Sequence, residues 1–257
     1  RLVVIETEVL IHDRRHERRH GTASIAATYR ESSICIENTA ASGTIYADSE
    51  SVFAGTMATV GVWPIFWGAR SSAVGYFGNP CGLAADAAGN LYLADQGNNR
   101  IQIRDPSGVW TSIGSEGSEL GQFSMPSGVA LDDQGNLYVT DSVLGRIQKR
   151  NTSGTWSSLG ETGSNVGQFI LPNGIATDGS GNLYVADMGN NRIQVRDTSG
   201  VWTVIDPPGG DLGGFSMPSS VAVAATGLLY VTDMGNNRIL IRSAAGSWTA
   251  TGAAGAA

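Results

Sequence analysis

The stretch "ADMGNNRIQVRDTSG" (Ala186–Gly200) decides the fold, because the chain contains three further versions of it. Two are close copies, "ADQGNNRIQIRDPSG" (94–108) and "TDMGNNRILIRSAAG" (232–246), and a looser copy is "TDSVLGRIQKRNTSG" (140–154). Self-similarity at a fixed period of about 20–50 residues is typical of solenoids, propellers and other repeat architectures. The repeat is therefore the unit from which the architecture is predicted.

The period is regular over four copies. Prolines recur 46 residues apart at Pro80, Pro126, Pro172 and Pro218. The same spacing separates the aspartates, arginines and tryptophans of the motif, which are Asp95, Asp141, Asp187 and Asp233, Arg100, Arg146, Arg192 and Arg238, and Trp110, Trp156, Trp202 and Trp248. A fifth, eroded copy lies upstream, where "SGTIYAD" (42–48) matches "AGNLYLAD" (88–95). Uninterrupted spacing indicates one supersecondary block per repeat, stacked on its neighbours.

Each copy predicts four short strands. In the third copy "LYVAD" (183–187) and "RIQVRD" (192–197) alternate with period two, and "MGNN" between them supplies the glycine and asparagine of a tight turn. Four strands per repeat indicate an all-β fold, a β-propeller of four-stranded blades. The five recognisable blades are expected at about 31–75, 76–121, 122–167, 168–213 and 214–252. Residues 1–30 are an atypical segment that is either disordered or part of an incomplete sixth blade.

Composition narrows the class of partner. The formal net charge is −7, with a single lysine (Lys149) among the basic residues. An acidic chain without a basic, aromatic cluster is not expected to bind nucleic acid. No run approaches the about 20 apolar residues of a membrane span, so no membrane insertion is expected.

The motif P-x-G-[IV]-A-x-D-x-x-G-N-L-Y-V-[AT]-D-x-G-N-N-R-I-Q-x-[RF] matches the third copy (Pro172–Arg196) almost throughout. With its "G-Q-F-x-x-P" lead-in (167–172), the chain resembles the NHL-repeat family. The resemblance is strong over 75–250, weak over 31–74 and absent over 1–30. It implies a propeller that most often closes with six blades, and its bacterial members favour an extracellular or cell-surface location. It does not specify function, because the fold carries many unrelated tasks.

The recurring charged residues are interpreted as structural. A residue present in every blade serves the blade, so the four Asp–Arg pairs of the repeat are expected to be ion pairs or turn hydrogen bonds. Tryptophans on the outermost strand are expected to pack between blades. Cys35 and Cys81 occupy equivalent places in adjacent blades, too far apart for a disulfide, and are expected to be free thiols.

Enzymes with related propellers need residues that this repeat region lacks. Resembling lyases use histidine as a zinc ligand or a base, but His12, His16 and His20 all lie in residues 1–30. Their i, i+4, i+8 spacing fits a soft metal site on a helix, a solvated tail, or sequence foreign to the fold. Resembling calcium-dependent lactonases need blade-specific oxygen ligands, whereas Asp86, Asp132 and Asp178 recur at one place.

The leading hypothesis is a non-catalytic binding module, without catalytic residues, metal or cofactor, whose loop face holds a protein, peptide or glycan. Blade-specific residues of the turn between the second and third strands form the candidate face: Gln96, Ser142, Val143, Leu144, Met188 and Met234. The alternative is a metal-dependent lactonase or hydrolase with its site mainly in residues 31–74. If the propeller is not closed, exposed blade faces favour association.

Overall fold

The computed structural model describes residues 72–207 and 212–252 in full, and the backbone of the strands at 3–12, 18–30, 33–38 and 43–46. The chain divides into two compact units, Arg1–Ile65 and Phe66–Ala257.

The first unit contains a four-stranded antiparallel sheet in chain order. Its strands are β1 (Val3–His12), β2 (Arg18–Arg30), β3 (Ser33–Asn38) and β4 (Gly43–Tyr46). The β1–β2 register runs from Val3 opposite Ala27 to His12 opposite Arg18. Strands β3 and β4 lie in the segment of the eroded repeat. Residues 47–71 lie outside the described part of the chain, so a fifth blade, a partial sixth and their boundaries stay predictions.

The second unit contains four antiparallel sheets, each with four strands in chain order. Blade A is β5 (Pro80–Ala85), β6 (Leu91–Asp95), β7 (Arg100–Arg104) and β8 (Trp110–Ile113). Short parallel strands β9 (Ser115–Glu116) and β10 (Gln122–Phe123) lead to blade B, which is β11 (Pro126–Leu131), β12 (Leu137–Asp141), β13 (Arg146–Arg150) and β14 (Trp156–Leu159).

A second parallel pair, β15 (Glu161–Thr162) and β16 (Gln168–Phe169), leads to blade C. Blade C is β17 (Pro172–Thr177), β18 (Leu183–Asp187), β19 (Arg192–Arg196) and β20 (Trp202–Ile205). Blade D is β21 (Pro218–Val223), β22 (Leu229–Asp233), β23 (Arg238–Arg242) and β24 (Trp248–Thr251). Within residues 72–207 and 212–252 the fold is thus an all-β propeller array of four blades, each with the predicted strands.

The turn between the second and third strands explains the "GNN" of the repeat. In blades A, C and D a short 3-10 turn is followed by an asparagine in the left-handed region, Asn99, Asn191 or Asn237, with φ of 52°, 53° and 51°. Asparagine tolerates this conformation better than most residues. Blade B places Gly145 there, with φ 58°.

The core lies between successive blades. Isoleucines of the third strand, Ile101, Ile147 and Ile193, are completely buried in three separate clusters, each built from residues of two neighbouring blades. The innermost strands also approach closely, since a Cβ added at Gly128 of β11 would lie 3.0 Å from Ile175 Cγ2 of β17. Each blade therefore depends on its neighbour to cover an apolar face.

The tryptophans close the outer edge of the blades. Each forms an edge-to-face pair with the phenylalanine of "F-x-x-P" in its own blade, at centroid separations of 5.0, 5.4, 5.1 and 5.6 Å in blades A to D. Phe123 and Phe169 are fully buried in the clusters between blades, so the pairs fasten the fourth strand to those clusters.

Cys81 is exposed on β5, with its Sγ 3.8 Å from Asn79 O. The side chain of Cys35 lies outside the described residues, so the prediction of two free thiols stays a prediction.

Among the residues described, no helix has the length and hydropathy needed to span a bilayer.

Candidate functional site

One end of the blades gathers two kinds of loop. Because successive strands are antiparallel, the turn between the second and third strands and the segment leading into the first strand lie at the same end of each blade. Backbone hydrogen bonds join the two kinds of loop. Gly189 N–H donates to Ile170 O (2.8 Å), and Val143 N–H donates to Ser124 O (3.2 Å). This end is the loop face.

A buried carboxylate positions the loop face in every blade. In blade C the fully buried Asp187 accepts hydrogen bonds from Ile170 N–H (2.9 Å), Asn190 Nδ2 (2.9 Å), Arg192 Nε (2.7 Å) and Gln194 Nε2 (2.9 Å). These donors come from the incoming segment, the turn and the third strand. One side chain thus joins three parts of the blade, and its lone pairs are occupied.

The paired arginine is equally committed. Arg192 donates to the backbone carbonyls of Ser164 (2.8 Å), Asn165 (2.7 Å) and Gln168 (2.8 Å) as well as to Asp187. The repeat pairs Asp95–Arg100 and Asp233–Arg238 also have Nε–Oδ2 distances of 2.7 Å. These pairs therefore act as clamps that hold the loops and strands of one blade together.

Blade B carries a weaker version of the clamp. Leu144 stands where the other blades have the asparagine amide, and the Arg146–Asp141 distance is 3.4 Å. Burial raises the pKa of Asp141, and the hydrogen bond from Ser124 N–H and the charge of Arg146 only partly oppose this. The burial of the Asp141 carboxylate is therefore only partly compensated by its partners.

A second set of carboxylates lies at the opposite end, in the turn between the first and second strands. The Asn90 side chain lowers the pKa of Asp86, and for Asp132 and Asp178 hydrogen bonds outweigh the effect of burial and also lower the pKa. Asp132 Oδ2 accepts from Asn136 Nδ2 (2.7 Å) and Tyr138 Oη (2.9 Å). No group of three or more potential metal ligands is found among the side chains described.

The predicted loop-face residues have two different environments. Val143 and Met234 are exposed, at 51% and 49%. The other four residues are half-buried, and each forms a hydrogen bond with a neighbouring segment. Gln96 Oε1 accepts from Asn79 Nδ2 (2.6 Å), Ser142 Oγ donates to Pro172 O (2.7 Å), Leu144 O accepts from Thr162 Oγ1 (2.9 Å), and Met188 Sδ lies 3.9 Å from Asn173 Nδ2.

The structure adds residues that the sequence analysis did not select. Met125, Leu171 and Met217 precede the repeat prolines at the loop face, and they and Ile170 are exposed by 38% to 45%. The signal was present in "F-x-x-P", where an apolar residue precedes proline in three of four copies. The sequence pattern alone does not show that these residues are exposed, because their exposure depends on the backbone conformation before the proline.

Met125, Leu171 and Met217 are held in an unfavourable backbone conformation, with φ of 59°, 49° and 50°. A side chain with a Cβ costs about 1–2 kcal/mol in this region, and a residue before proline ordinarily adopts extended backbone. At Met125 and Met217 an asparagine of the preceding blade supports the conformation, since Asn99 Oδ1 accepts from Met125 N–H (2.8 Å) and Asn191 Oδ1 from Met217 N–H (2.7 Å). Backbone strain maintained in an exposed apolar residue marks a candidate binding position.

Comparisons with known proteins agree with this architecture. The NHL repeat model matches residues 123–149, 169–195 and 215–241, and a search of the curated proteins found no match. The chain resembles streptogramin B lyase with a TM-score of 0.55 and 14% identity, over 98% of this chain and 74% of that one. A catalytically inactive virginiamycin B lyase from Staphylococcus aureus, with quinupristin, has a TM-score of 0.55 and 15% identity, over 98% of this chain and 89% of that one.

A proposed gluconolactonase has a TM-score of 0.53 and 20% identity, over 69% of this chain and 64% of that one. At identities this low the likeness establishes a common fold, and activity has to be argued from the residues present.

Proposed function

Because the chain is an NHL-repeat β-propeller protein, we propose that it is a binding module whose loop face holds an apolar segment of a protein or peptide. The observation that carries the proposal is the series of exposed apolar residues at this end of blades B to D: Met125, Val143, Ile170, Leu171, Met217 and Met234. An apolar series shared by adjacent loops is typical of an interaction surface.

The chemistry of these side chains favours a polypeptide over a glycan. Methionine adapts its shape to irregular apolar partners, and the series is aliphatic and thioether in character. A glycan partner, which the sequence left open, is better matched by aromatic platforms and polar groups. The charged clamps at this end are turned inward, with Asp141, Asp187 and Asp233 fully buried, so apolar contact is the main source of affinity.

The test uses a variant that keeps the fold and removes the apolar surface. Asn79 occupies the same left-handed position in blade A, with φ 55°, so asparagine fits it. In M125N/L171N/M217N we expect an unchanged or higher melting temperature, because asparagine tolerates this backbone better. Peptides selected from a random display library on the wild type should lose at least about tenfold in affinity for the variant.

The matched control carries V109N/V201N. Both valines are as exposed as the loop-face residues, but they lie in the turns at the other end of blades A and C. Peptides that bind this control and the wild type equally support the proposal. Peptides that bind the triple variant as tightly as the wild type contradict it.

A metal-dependent hydrolase is the second candidate, favoured by the fold likeness to the proposed gluconolactonase. Its ligands would have to come mainly from residues 31–74, most of which lie outside the described part of the chain. Thermal melts with calcium, with zinc and with a chelator distinguish the candidates, because a resident metal raises the melting temperature by mass action. A rise of several degrees with one metal, reversed by chelator, would favour the hydrolase, and lactones and esters would then be assayed.

A further inference from the structure

The junction of blades B and C departs from the repeat at three positions of the loop face. The turn of blade B carries Val143 and Gly145, where the other described blades have glycine and asparagine. The segment leading into blade C carries Ile170, where the others have glycine or serine. We define the B–C junction as residues 142–145 and 170–172. Loop residues that differ from the repeat can give one place on the surface a property that the other junctions lack.

Hydrogen bonding holds the two parts of the B–C junction together. Ser142 Oγ of the turn donates to Pro172 O of the incoming segment (2.7 Å). Val143 and Leu171 are therefore each one residue away from this bonded pair. Val143, Ile170 and Leu171 are exposed by 51%, 38% and 44%. The junction thus presents three exposed aliphatic side chains on a fixed backbone.

The backbone N–H of Leu171 lacks the acceptor that its equivalents have. At the two neighbouring junctions the asparagine that ends the turn accepts a hydrogen bond from the residue before the proline, either Met125 N–H (2.8 Å) or Met217 N–H (2.7 Å). Gly145 replaces this asparagine at the B–C junction. No acceptor for Leu171 N–H is found in the described part of the chain. The junction therefore offers a hydrogen-bond donor beside its aliphatic side chains.

We propose that the B–C junction binds the backbone of an apolar peptide segment. A carbonyl oxygen of the peptide accepts from Leu171 N–H, and apolar side chains of the peptide pack on Val143 and Ile170. Every residue of a polypeptide carries such a carbonyl acceptor. A carboxylate or phosphate group fits less well, because the aliphatic side chains would remove water from its charge. This inference deepens the proposed function and rests on it.

The packing of Gly145 keeps the donor available to a partner. A Cβ added at Gly145 would lie 2.6 Å from Thr162 Oγ1 and 2.7 Å from Phe169 O. The turn of blade B therefore lies too close to the incoming segment to carry an asparagine in its present conformation. A variant that supplies the missing acceptor has to replace the whole turn.

Hydrogen exchange of single amides, measured by NMR on the full chain, tests the donor directly. In the free protein Leu171 N–H should exchange at least about tenfold faster than the N–H groups of Met125 and Met217, which serve as internal controls. Peptides that are selected on the wild type and lose affinity for M125N/L171N/M217N are then added. They should slow the exchange of Leu171 N–H at least about tenfold more than that of the two controls.

A matched pair of turn variants tests the same donor by affinity. S142M/V143G/L144N gives blade B the turn of blade C except at Gly145, and S142M/V143G/L144N/G145N gives it the complete turn. The two variants have the same apolar residues, and only the second has an asparagine that can accept from Leu171 N–H. The peptides should bind the second variant at least about threefold more weakly than the first, because its donor is already occupied. Thermal melts check that both variants are folded.

The outcomes separate this inference from the proposed function. A Leu171 N–H that exchanges as slowly as the two controls in the free protein would overturn the inference, because the donor would already be occupied. A loop-face peptide that leaves this exchange unchanged, or that binds both turn variants equally, would also overturn it, while the proposed function would stand. If no selected peptide loses affinity for M125N/L171N/M217N, the proposed function fails and the inference fails with it.

Discussion

At the scale of single residues, one aspartate per blade collects hydrogen bonds from three segments of chain. The clamp of blade C has four donors on Asp187, whereas Asp141 in blade B has no asparagine amide and a longer contact with its arginine. The same Asp–Arg pair is therefore bound more tightly in one blade than in another, according to the hydrogen-bond donors that its neighbours supply. The loop face depends on these clamps because they fix the turn that presents it.

We expect D187N to cost about 3 kcal/mol of unfolding free energy, because it leaves Arg192 without its partner carboxylate in a mostly buried site. D141N should cost clearly less unfolding free energy, because the contact between Arg146 and Asp141 is longer. Burial also raises the pKa of Asp141, which makes the charged carboxylate less favourable in the folded state. Urea unfolding at neutral pH measures both. Equal losses would mean that the clamp distances do not reflect the energy of the pair.

At the scale of the strand and turn, the period of 46 residues predicts the four strands of each described blade and the turns that join them. The sequence also predicts the Asp–Arg pairs, because the two residues flank one turn. In the structure Asp187 and Arg192 lie opposite each other on β18 and β19. The sequence shows an apolar residue before the repeat proline, but it does not show that Met125 and Met217 are exposed. Their exposure follows from a left-handed backbone held by an asparagine 26 residues earlier, which is a contact between blades and not a local pattern.

Blade D lacks the carboxylate turn of the other three blades. Ala224 and Leu228 occupy the positions that Asp178 and Asn182 have in blade C. The backbone hydrogen bond of the turn is nevertheless the same in both blades. Ala224 N–H donates to Leu228 O (2.9 Å), and Asp178 N–H donates to Asn182 O (3.1 Å). We expect A224D/L228N to stabilise the chain by about 0.5–2 kcal/mol at pH 7, as repeat-restoring substitutions commonly do.

The gain should depend on pH in a defined direction. Hydrogen bonds lower the folded-state pKa of Asp178, so its contribution is present above the unfolded pKa of about 3.9 and is lost as the pH falls through the lower folded value. The gain of A224D/L228N should therefore begin to fall as the pH drops below about 4 and should disappear at still lower pH, which calorimetry measures. The uncharged A224N/L228N serves as control and should show no such loss. A gain in the aspartate variant that persists at low pH would contradict this account of the turn.

At the scale of the whole array, stability comes from the interfaces between blades. Each described blade is a small sheet with an apolar face, and a stack of such units is stabilised mainly by contacts between nearest neighbours. The sequence predicts this stacking from the repeat alone. It does not give the number of blades or the closure, because those depend on residues outside the recognisable repeat.

The same residue at the same repeat position should therefore matter very differently in blades B and D. Ile147 is completely buried between blades B and C, whereas Ile239 of blade D is 40% exposed. We expect I147A to cost about 2–5 kcal/mol, the range for deleting a large buried aliphatic side chain, and I239A to cost less than about 1 kcal/mol in dilute protein. Urea unfolding at low protein concentration measures both, and I193A, buried between blades C and D, should behave like I147A. Equal costs of I239A and I147A in dilute protein would mean that the side chain of Ile239 is covered within a single chain.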